Sequence, residues 1–194
     1  MNYRKLLVKI NFWRTWPIVL YLTVNRKRAE DLFTEAEAWA APHEIRKIRR
    51  ILYLLVNERV YRNLFYVRMW NPIMKIYSRM AFPGEATCEI DTKKIGIGLV
   101  IYHGYSTVIA AHSIGKNCCI WQNVTLGRRP KSDGGIDTPI IGDNVRIYTG
   151  AIVIGGISIG DNAKIAAGSV VLKDVPANCL VAGVPAVVVK KYEE

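Results

Sequence analysis

The second half of this 194-residue chain places an aliphatic residue at every sixth position. Because six is a multiple of the two-residue strand period, these side chains would all point to one side of an extended strand. Turn residues follow many of them, as in Ile114-Gly115-Lys116-Asn117, and such residues tolerate left-handed backbone conformations. Three repeats would close one triangular coil, so the pattern predicts about four stacked coils of a β-solenoid. The marked positions form two runs: Ile95, Ile101, Val108, Ile114, Ile120 and Leu126, then Ile141, Ile147, Val153, Ile159, Ile165 and Val171.

The first 82 residues lack this period and have a helical pattern instead. After a break at Pro42, apolar residues recur at spacings of three and four, with basic residues largely elsewhere around the helix. Pro83 and Gly84 mark the end of the helical pattern. We therefore predict a basic α-helical region over 1–83 and a β-helix domain over 84–194, with a protruding, glycine-rich loop over 128–139 between the two runs. The helical stripe comprises Ile45, Ile48, Leu52 and Leu55, and its basic flank comprises Arg46, Lys47, Arg49 and Arg50.

The net charge of +11 is concentrated in the helical region. Residues 1–83 hold 16 Lys or Arg against 6 Asp or Glu, whereas residues 84–194 hold 11 against 10. Such a charge favours a membrane surface, phosphate esters or acidic glycans as partners, and the alternative is a solvated helix surface. Nucleic acid is not expected because no recognised binding motif accompanies the charge. Four tryptophans in this region suit either lipid headgroups or helix packing: Trp13, Trp16, Trp39 and Trp70.

No segment near the start resembles a membrane span or a secretory signal. The apolar stretch Trp16–Val24 is shorter than the about 20 residues that a bilayer requires, and Asn25-Arg26-Lys27-Arg28 follows it in place of a small-residue cleavage site. We therefore expect a cytoplasmic protein, with peripheral contact at the inner membrane surface as an option. The four cysteines, which we expect to be reduced and packed, lack metal-type spacing: Cys88, Cys118, Cys119 and Cys179.

Among the three histidines, His103 is the candidate for acid–base chemistry. It lies where the first run slips from a spacing of six to seven, between Ile101 and Val108, and Gly104 follows it. An irregularity at a histidine, next to a glycine that allows close approach, suggests a site. His112 occupies an ordinary corner of a repeat, and His43 lies at a predicted helix start.

The motifs over roughly 85–190 resemble hexapeptide-repeat acetyltransferases of the serine acetyltransferase type. They are His103-Gly104-Tyr105, Asn123-Val124-Thr125-Leu126-Gly127, Ala163-Lys164-Ile165-Ala166-Ala167-Gly168 and Ala182-Gly183-Val184-Pro185-Ala186. The resemblance implies a left-handed parallel β-helix and a homotrimer with sites in the grooves between subunits. It also implies acetyl-CoA as co-substrate and no metal.

In that family the histidine matched by His103 is the general base, and an imidazole with a pKa of about 6.5 suits this role at neutral pH. An upstream carboxylate orients the imidazole. The strict count falls on Cys88, but a one-residue shift selects Glu89, with Asp91 as the other candidate. The resemblance places six further residues along the acetyl-CoA groove: Gly127, Arg128, Thr149, Gly150, Lys164 and Ala167.

The acceptor is less clear from the motifs. The family's aspartate before the histidine is Tyr102 here, and its Arg-His pair in the loop falls on Asp137-Thr138. Losing both charged groups argues against free serine. The order Glu-Ile, Ile-Gly, His-Gly-Tyr is similar to colanic-acid and capsular polysaccharide O-acetyltransferases. We therefore expect an acetyl-CoA-dependent O-acetyltransferase that acts on a saccharide hydroxyl in surface polysaccharide biosynthesis.

Two alternatives stay open. One is a serine O-acetyltransferase of cysteine biosynthesis, and the other is a non-catalytic β-helix scaffold. A zinc enzyme on this fold is not expected, because a catalytic site needs about three histidine ligands and His43 lies outside the solenoid.

Overall fold

The computed structural model describes residues 3–40, 45–130 and 135–192. The chain divides into two compact units, Met1–Glu85 and Ala86–Glu194. Pro42, His43 and part of the predicted loop, residues 131–134, lie outside the described residues.

The first unit is helical throughout its described part. Arg26–Ala29 forms a short 3₁₀ turn between the second and third helices. The helices are α1 (Tyr3–Ile10), α2 (Phe12–Val24), α3 (Glu30–Ala38), α4 (Lys47–Asn57), α5 (Arg59–Arg68) and α6 (Pro72–Ala81).

Helix α4 confirms the predicted amphipathic helix from Lys47 onward, whereas Ile45 and Arg46 precede it, and the helix buries more of its surface than the stripe indicated. Leu52 and Leu55 are buried, whereas Ile45 and Ile48 are only half-buried. Arg50 was assigned to the basic flank and is instead buried, with its guanidinium donating to the carbonyls of Ala36 and Trp39, each at 2.8 Å. The reason is that α3 ends nearby, and its last carbonyls need donors that the helix itself cannot supply.

The second unit is the predicted parallel β-solenoid. Each of the first four coils contributes one short strand to each of three sheets, and the pairings between these coils are all parallel. Sheet A contains β1 (Cys88–Ile90), β4 (Thr107–Ile109), β7 (Thr125–Gly127), β12 (Ile152–Ile154) and β15 (Val170–Val171). Sheet B contains β2 (Lys94–Ile95), β5 (Ser113–Ile114), β10 (Ile140–Ile141) and β13 (Ser158–Ile159). Sheet C contains β3 (Val100–Ile101), β6 (Cys119–Ile120), β11 (Arg146–Ile147), β14 (Lys164–Ile165), β16 (Cys179–Gly183) and the antiparallel β17 (Ala186–Lys191).

The described solenoid has five coils where the repeats predicted about four. The first coil begins at Cys88, before the first marked position, and the last coil bridges Val175 to Ile159 before β16. Both ends depart from the six-residue period, so the pattern could not include them.

One marked position was wrong. Val108 was expected to face the core, but Ile109 pairs with Leu126 and is fully buried, while Val108 is half-buried. The inward spacing is therefore eight from Ile101 to Ile109 and five from Ile109 to Ile114. The corresponding steps in the next coils, such as Ile120 to Leu126, are six residues long. The turn that carries His103 is therefore two residues longer than its counterparts.

The corner between sheets B and C explains the recurring Gly and Asn. A Cβ on Gly115 would lie 2.5 Å from the carbonyl carbon of Gly142 in the next coil, so only glycine allows the coils to stack there. The predicted left-handed turns are confirmed at this corner by positive φ angles of 54° to 59° at Asn117, Asn144, Asn162 and Asn178.

The chain leaves the solenoid between β7 and β10. Two short antiparallel strands flank the excursion, β8 (Arg129–Pro130) and β9 (Ile136–Asp137). Their base lies over a glycine pair of the next coil. A Cβ on Gly155 would be 3.2 Å from Cζ of Arg129, and one on Gly156 would be 2.7 Å from Cγ of Asp137.

Candidate active site

The corner between sheets C and A collects four of the eight predicted site residues, and we call this column the C–A edge. It consists of the segments Tyr102–Ser106, Trp121–Asn123, Tyr148–Gly150 and Ala166–Gly168 on four successive coils. His103, Thr149, Gly150 and Ala167 therefore share one column along the solenoid axis. Neighbouring strands lie about 4.8 Å apart, so Thr149 follows His103 by about 10 Å and Ala167 by about 14 Å.

His103 occupies an irregular, outward-facing turn. Its φ is 63°, Gly104 follows at 64° and Ser106 at 49°. Left-handed conformations at residues other than glycine are uncommon and concentrate at functional sites. The side chain is exposed and forms no hydrogen bond or ion pair within the described part of the chain. The imidazole is thus free to meet a ligand at the corner.

An aromatic ladder, formed by Tyr102, Trp121 and Tyr148, supports the C–A edge. The centroid of the Trp121 ring lies 4.7 Å from that of Tyr102 and 4.7 Å from that of Tyr148. Each ring belongs to the residue directly before a corner residue, namely His103, Gln122 or Thr149. The ladder therefore holds three successive corners in register.

Gln122 was not predicted and lies on the coil next to His103. Its backbone carbonyl accepts hydrogen bonds from Thr149 Oγ1 and the Gly150 amide, both at 3.1 Å. Its Oε1 is buried without a hydrogen-bond partner among the described residues. The Nε2 end of the amide is not among the buried, unpartnered atoms, so Gln122 offers an N–H donor on the coil next to that of His103. Only the coil register reveals this position, because the sequence separation of 19 residues has no repeat signal of its own.

The glycines of the C–A edge have a backbone explanation as well as an expected role. Gly150 and Gly168 have φ angles of 70° and 67°, which favour glycine whatever lies nearby. A Cβ on Gly168 would meet no atom within 4 Å, so the surface there is open. The expected passage for a thin ligand is thus sterically available.

The other predicted cofactor residues lie away from this column. Gly127 and Arg128 are at the far end of the sheet A strand, about 13 Å from the C–A edge at 3.3 Å per residue. Arg128 forms an ion pair with Asp91. Lys164 is on sheet C, with Nζ 4.3 Å from the ring centroid of Tyr192. Of the six predicted cofactor residues, three therefore lie at the C–A edge, Lys164 lies on the adjoining sheet C, and Gly127 and Arg128 lie at the far end of a sheet A strand.

Neither carboxylate candidate contacts the imidazole. Glu89 is exposed on β1 beside Val108, and no hydrogen bond or ion pair joins it to His103 within residues 45–130. Asp91 forms an ion pair with Arg128. Cys88, which the strict count selected, is buried. The acidic partner of His103 stays a prediction.

The cysteines and the remaining surfaces add little to the site. All four cysteines are free, and burial raises the pKa of Cys118 to about 11. The described residues contain no group of three or more His, Cys, Asp or Glu that could hold a metal ion. No helix in the described ranges is long and apolar enough to cross a membrane.

Comparison with known proteins shows which family the solenoid resembles. Residues 138–173 match the family described as bacterial transferase hexapeptide (six repeats). A serine acetyltransferase of Staphylococcus epidermidis is 38% identical over 141 residues, which cover 71% of this chain and 62% of that protein. A serine acetyltransferase of Synechococcus elongatus is 45% identical over 97 residues, covering 50% of this chain and 39% of its own. The chain thus spans less than two thirds of the length of these relatives.

Solved structures extend the similarity. A serine acetyltransferase from Brucella abortus superposes with a TM-score of 0.65 at 27% identity and covers 88% of this chain and 72% of its own. The Neisseria gonorrhoeae serine acetyltransferase gives a TM-score of 0.64 at 27% identity, with coverages of 89% and 69%. These comparisons support the predicted resemblance to hexapeptide-repeat acetyltransferases of the serine acetyltransferase type.

They also overturn one expectation. The prediction of a saccharide acceptor in polysaccharide biosynthesis was wrong, and so was the closer resemblance to polysaccharide O-acetyltransferases. The relatives and structural neighbours are serine acetyltransferases. The expectation relied on short motifs that belong mainly to the repeated coil and on three substituted positions, and these carry less information than similarity over 141 residues.

Proposed function

We propose that this protein is an O-acetyltransferase that transfers the acetyl group of acetyl-CoA to the hydroxyl of L-serine. One observation carries the proposal: His103 is exposed on an irregular turn of the solenoid, has no partner among the described residues, and heads a column that includes Thr149, Gly150 and Ala167. The similarity to serine acetyltransferases supports both donor and acceptor.

The proposed reaction uses His103 as general base. Its imidazole removes the hydroxyl proton while the serine oxygen attacks the thioester carbonyl carbon. The tetrahedral oxyanion then collapses, the carbon–sulfur bond breaks, and the leaving CoA sulfur takes the proton from the imidazolium. Backbone or side-chain N–H groups at the C–A edge would stabilise the oxyanion.

The donor would extend along the C–A edge from His103 past Thr149, Gly150 and Ala167. Small side chains there let a narrow arm approach the backbone, and Lys164 on the adjoining sheet offers a cation for a phosphate. Gly127 and Arg128 stay predictions, since a ligand on this path would have to cross sheet A to reach them.

We also propose a homotrimer with shared sites. The corner of one triangular coil is convex, so a single copy gives a ligand at the C–A edge no opposite wall. A second copy would supply the opposite wall of a groove beside His103. We propose a cytoplasmic location; peripheral membrane contact stays a prediction.

The test is release of CoA, followed by loss of thioester absorbance, with L-serine and with no acceptor. We expect His103→Ala to lower turnover by about 10²- to 10⁴-fold. His112→Ala is the matched control, because His112 is also exposed but lies at a different corner, and it should change turnover less than about twofold.

Three results would each contradict a different part of the proposal. If CoA release with serine does not exceed the hydrolysis of acetyl-CoA without an acceptor, serine is not the acceptor. Full activity of His103→Ala would show that His103 is not the general base. Absence of acetyl-CoA binding by the wild type would favour a non-catalytic scaffold.

A further inference from the structure

A groove of about 290 Å³ in the helical unit has no place in the proposed reaction. It lies where the end of α2 and the following 3₁₀ turn meet the start of α4. Thr23 and Phe33 contribute to its lining, together with four cationic residues: Arg26, Arg46, Lys47 and Arg49.

Within the described residues, no carboxylate compensates the charge of this cationic groove. Its described lining contains no carboxylate. None of the four cationic side chains forms an ion pair or hydrogen bond within the part of the chain that the structure describes. By contrast, Arg4, Arg50 and Arg68 in the same unit each pair with a glutamate. Four like charges around one concavity repel each other unless an anion enters.

The backbone adds to this positive field. Arg46 is the N-cap residue of α4, and Lys47 and Arg49 belong to its first turn, whose N–H groups have no acceptors within the helix. Arg46 at the N-cap makes no side-chain cap bond. Arg26 approaches from a separate element, so a ligand would be held from two sides.

A phosphate group is the ligand that best matches these cationic N–H donors. Guanidinium groups present paired N–H donors that fit two phosphate oxygens, and three arginines surround the groove. Four positive charges favour a ligand with two or more negative charges. Phe33, which is buried, gives the groove an apolar floor that would limit water access to the bound group.

We propose that the cationic groove binds a phosphate-bearing ligand, independently of acetyl transfer. The phosphate could belong to a soluble polyphosphate or to the headgroup of an anionic lipid. Helix α2 carries exposed apolar side chains that would assist only the lipid: Trp13, Trp16, Leu20 and Val24.

The soluble source is tested by titrating the full-length chain with pyrophosphate in a calorimeter. Arg46→Gln/Arg49→Gln should weaken binding by at least about tenfold, because two charge-assisted contacts are lost. Lys9→Gln/Arg59→Gln is the matched control: it removes the same charge from exposed positions of the same unit outside the groove. We expect the control to weaken binding less than about twofold.

The lipid source is tested by sedimentation with vesicles that contain phosphatidylglycerol, against vesicles of phosphatidylcholine alone. Binding only to the anionic vesicles, reduced by the groove variant and not by its control, would assign the phosphate to lipid. The inference is overturned if neither probe binds, or if the control variant loses as much binding as the groove variant. Circular dichroism melts of all variants verify that each is folded, and acetyltransferase turnover is not needed for any outcome.

Discussion

Replacing the central ring of the aromatic ladder tests whether it holds the C–A edge in place. Trp121→Ala removes two ring contacts, each with centroids 4.7 Å apart. An aromatic pair contributes about 0.5–1.5 kcal/mol beyond its area burial, so the two contacts together contribute about 1–3 kcal/mol. Trp121→Phe keeps a ring between Tyr102 and Tyr148 and should lose less than about 1 kcal/mol.

The assay must report on the solenoid alone, because the chain contains two units that need not unfold together. Hydrogen exchange of peptides that include residues 100–125 and 145–152 provides this local reading. We expect faster exchange for the amides of Trp121 and Tyr148, which donate to Ile147 and Ile165 in the neighbouring coils. The Phe variant should exchange more slowly than the Ala variant, because it keeps a ring in the ladder.

The same variant should affect turnover. Tyr102 directly precedes His103, so a loosened ladder allows the imidazole to move, and misplacement by about 1 Å can cost about 10²-fold in rate. Equal exchange rates in Trp121→Ala and Trp121→Phe would refute the stabilising role of the ladder. Faster exchange with unchanged turnover would refute its role in positioning His103.

Three further predictions concern single residues. Gln122→Leu removes the donor on the coil next to His103, and steady-state kinetics should show kcat lower by about 10²-fold with the KM for acetyl-CoA within about twofold. Tyr102→Asp provides a carboxylate for the serine ammonium and should lower the KM for serine by about tenfold, whereas Tyr102→Phe should not. Burial raises the pKa of Cys118 to about 11 from 9.0, so between these pH values the unfolded thiol ionises while the folded one keeps its proton. Stability should therefore fall as pH rises through this window by up to about 1 kcal/mol per pH unit, and denaturant titrations of Cys118→Ala should lack this component.

The fold was predictable because stacking converts a sequence period into a spatial column. Eleven of the twelve marked residues are buried, and the exception, Val108, follows the longer turn at His103. Thr107, Val108 and Ile109 all suit a strand, so the pattern alone could not decide which of them faces inward. Only pairing with Leu126 in the next coil fixes the register at Ile109.

Arg50 shows what a helical pattern could not predict. A charged residue on an amphipathic helix is normally assigned to solvent. Its burial depends on the carbonyls of Ala36 and Trp39, which approach only when α3 and α4 lie together. The cationic groove has the same origin, because Arg26 and Arg46 are 20 residues apart in a region without repeats.

The candidate site likewise contains some residues that the sequence period predicts and others that it does not. His103 was predicted because its turn interrupts the period, and Thr149, Gly150 and Ala167 share its column because they occupy equivalent corners. Glu89, Gly127 and Arg128 depend on which end of a sheet A strand they occupy, and a period does not encode that. A ligand bound along the C–A edge would meet one corner segment per coil, about every 4.8 Å, so the corner residues rather than the strand ends should dominate binding of the donor.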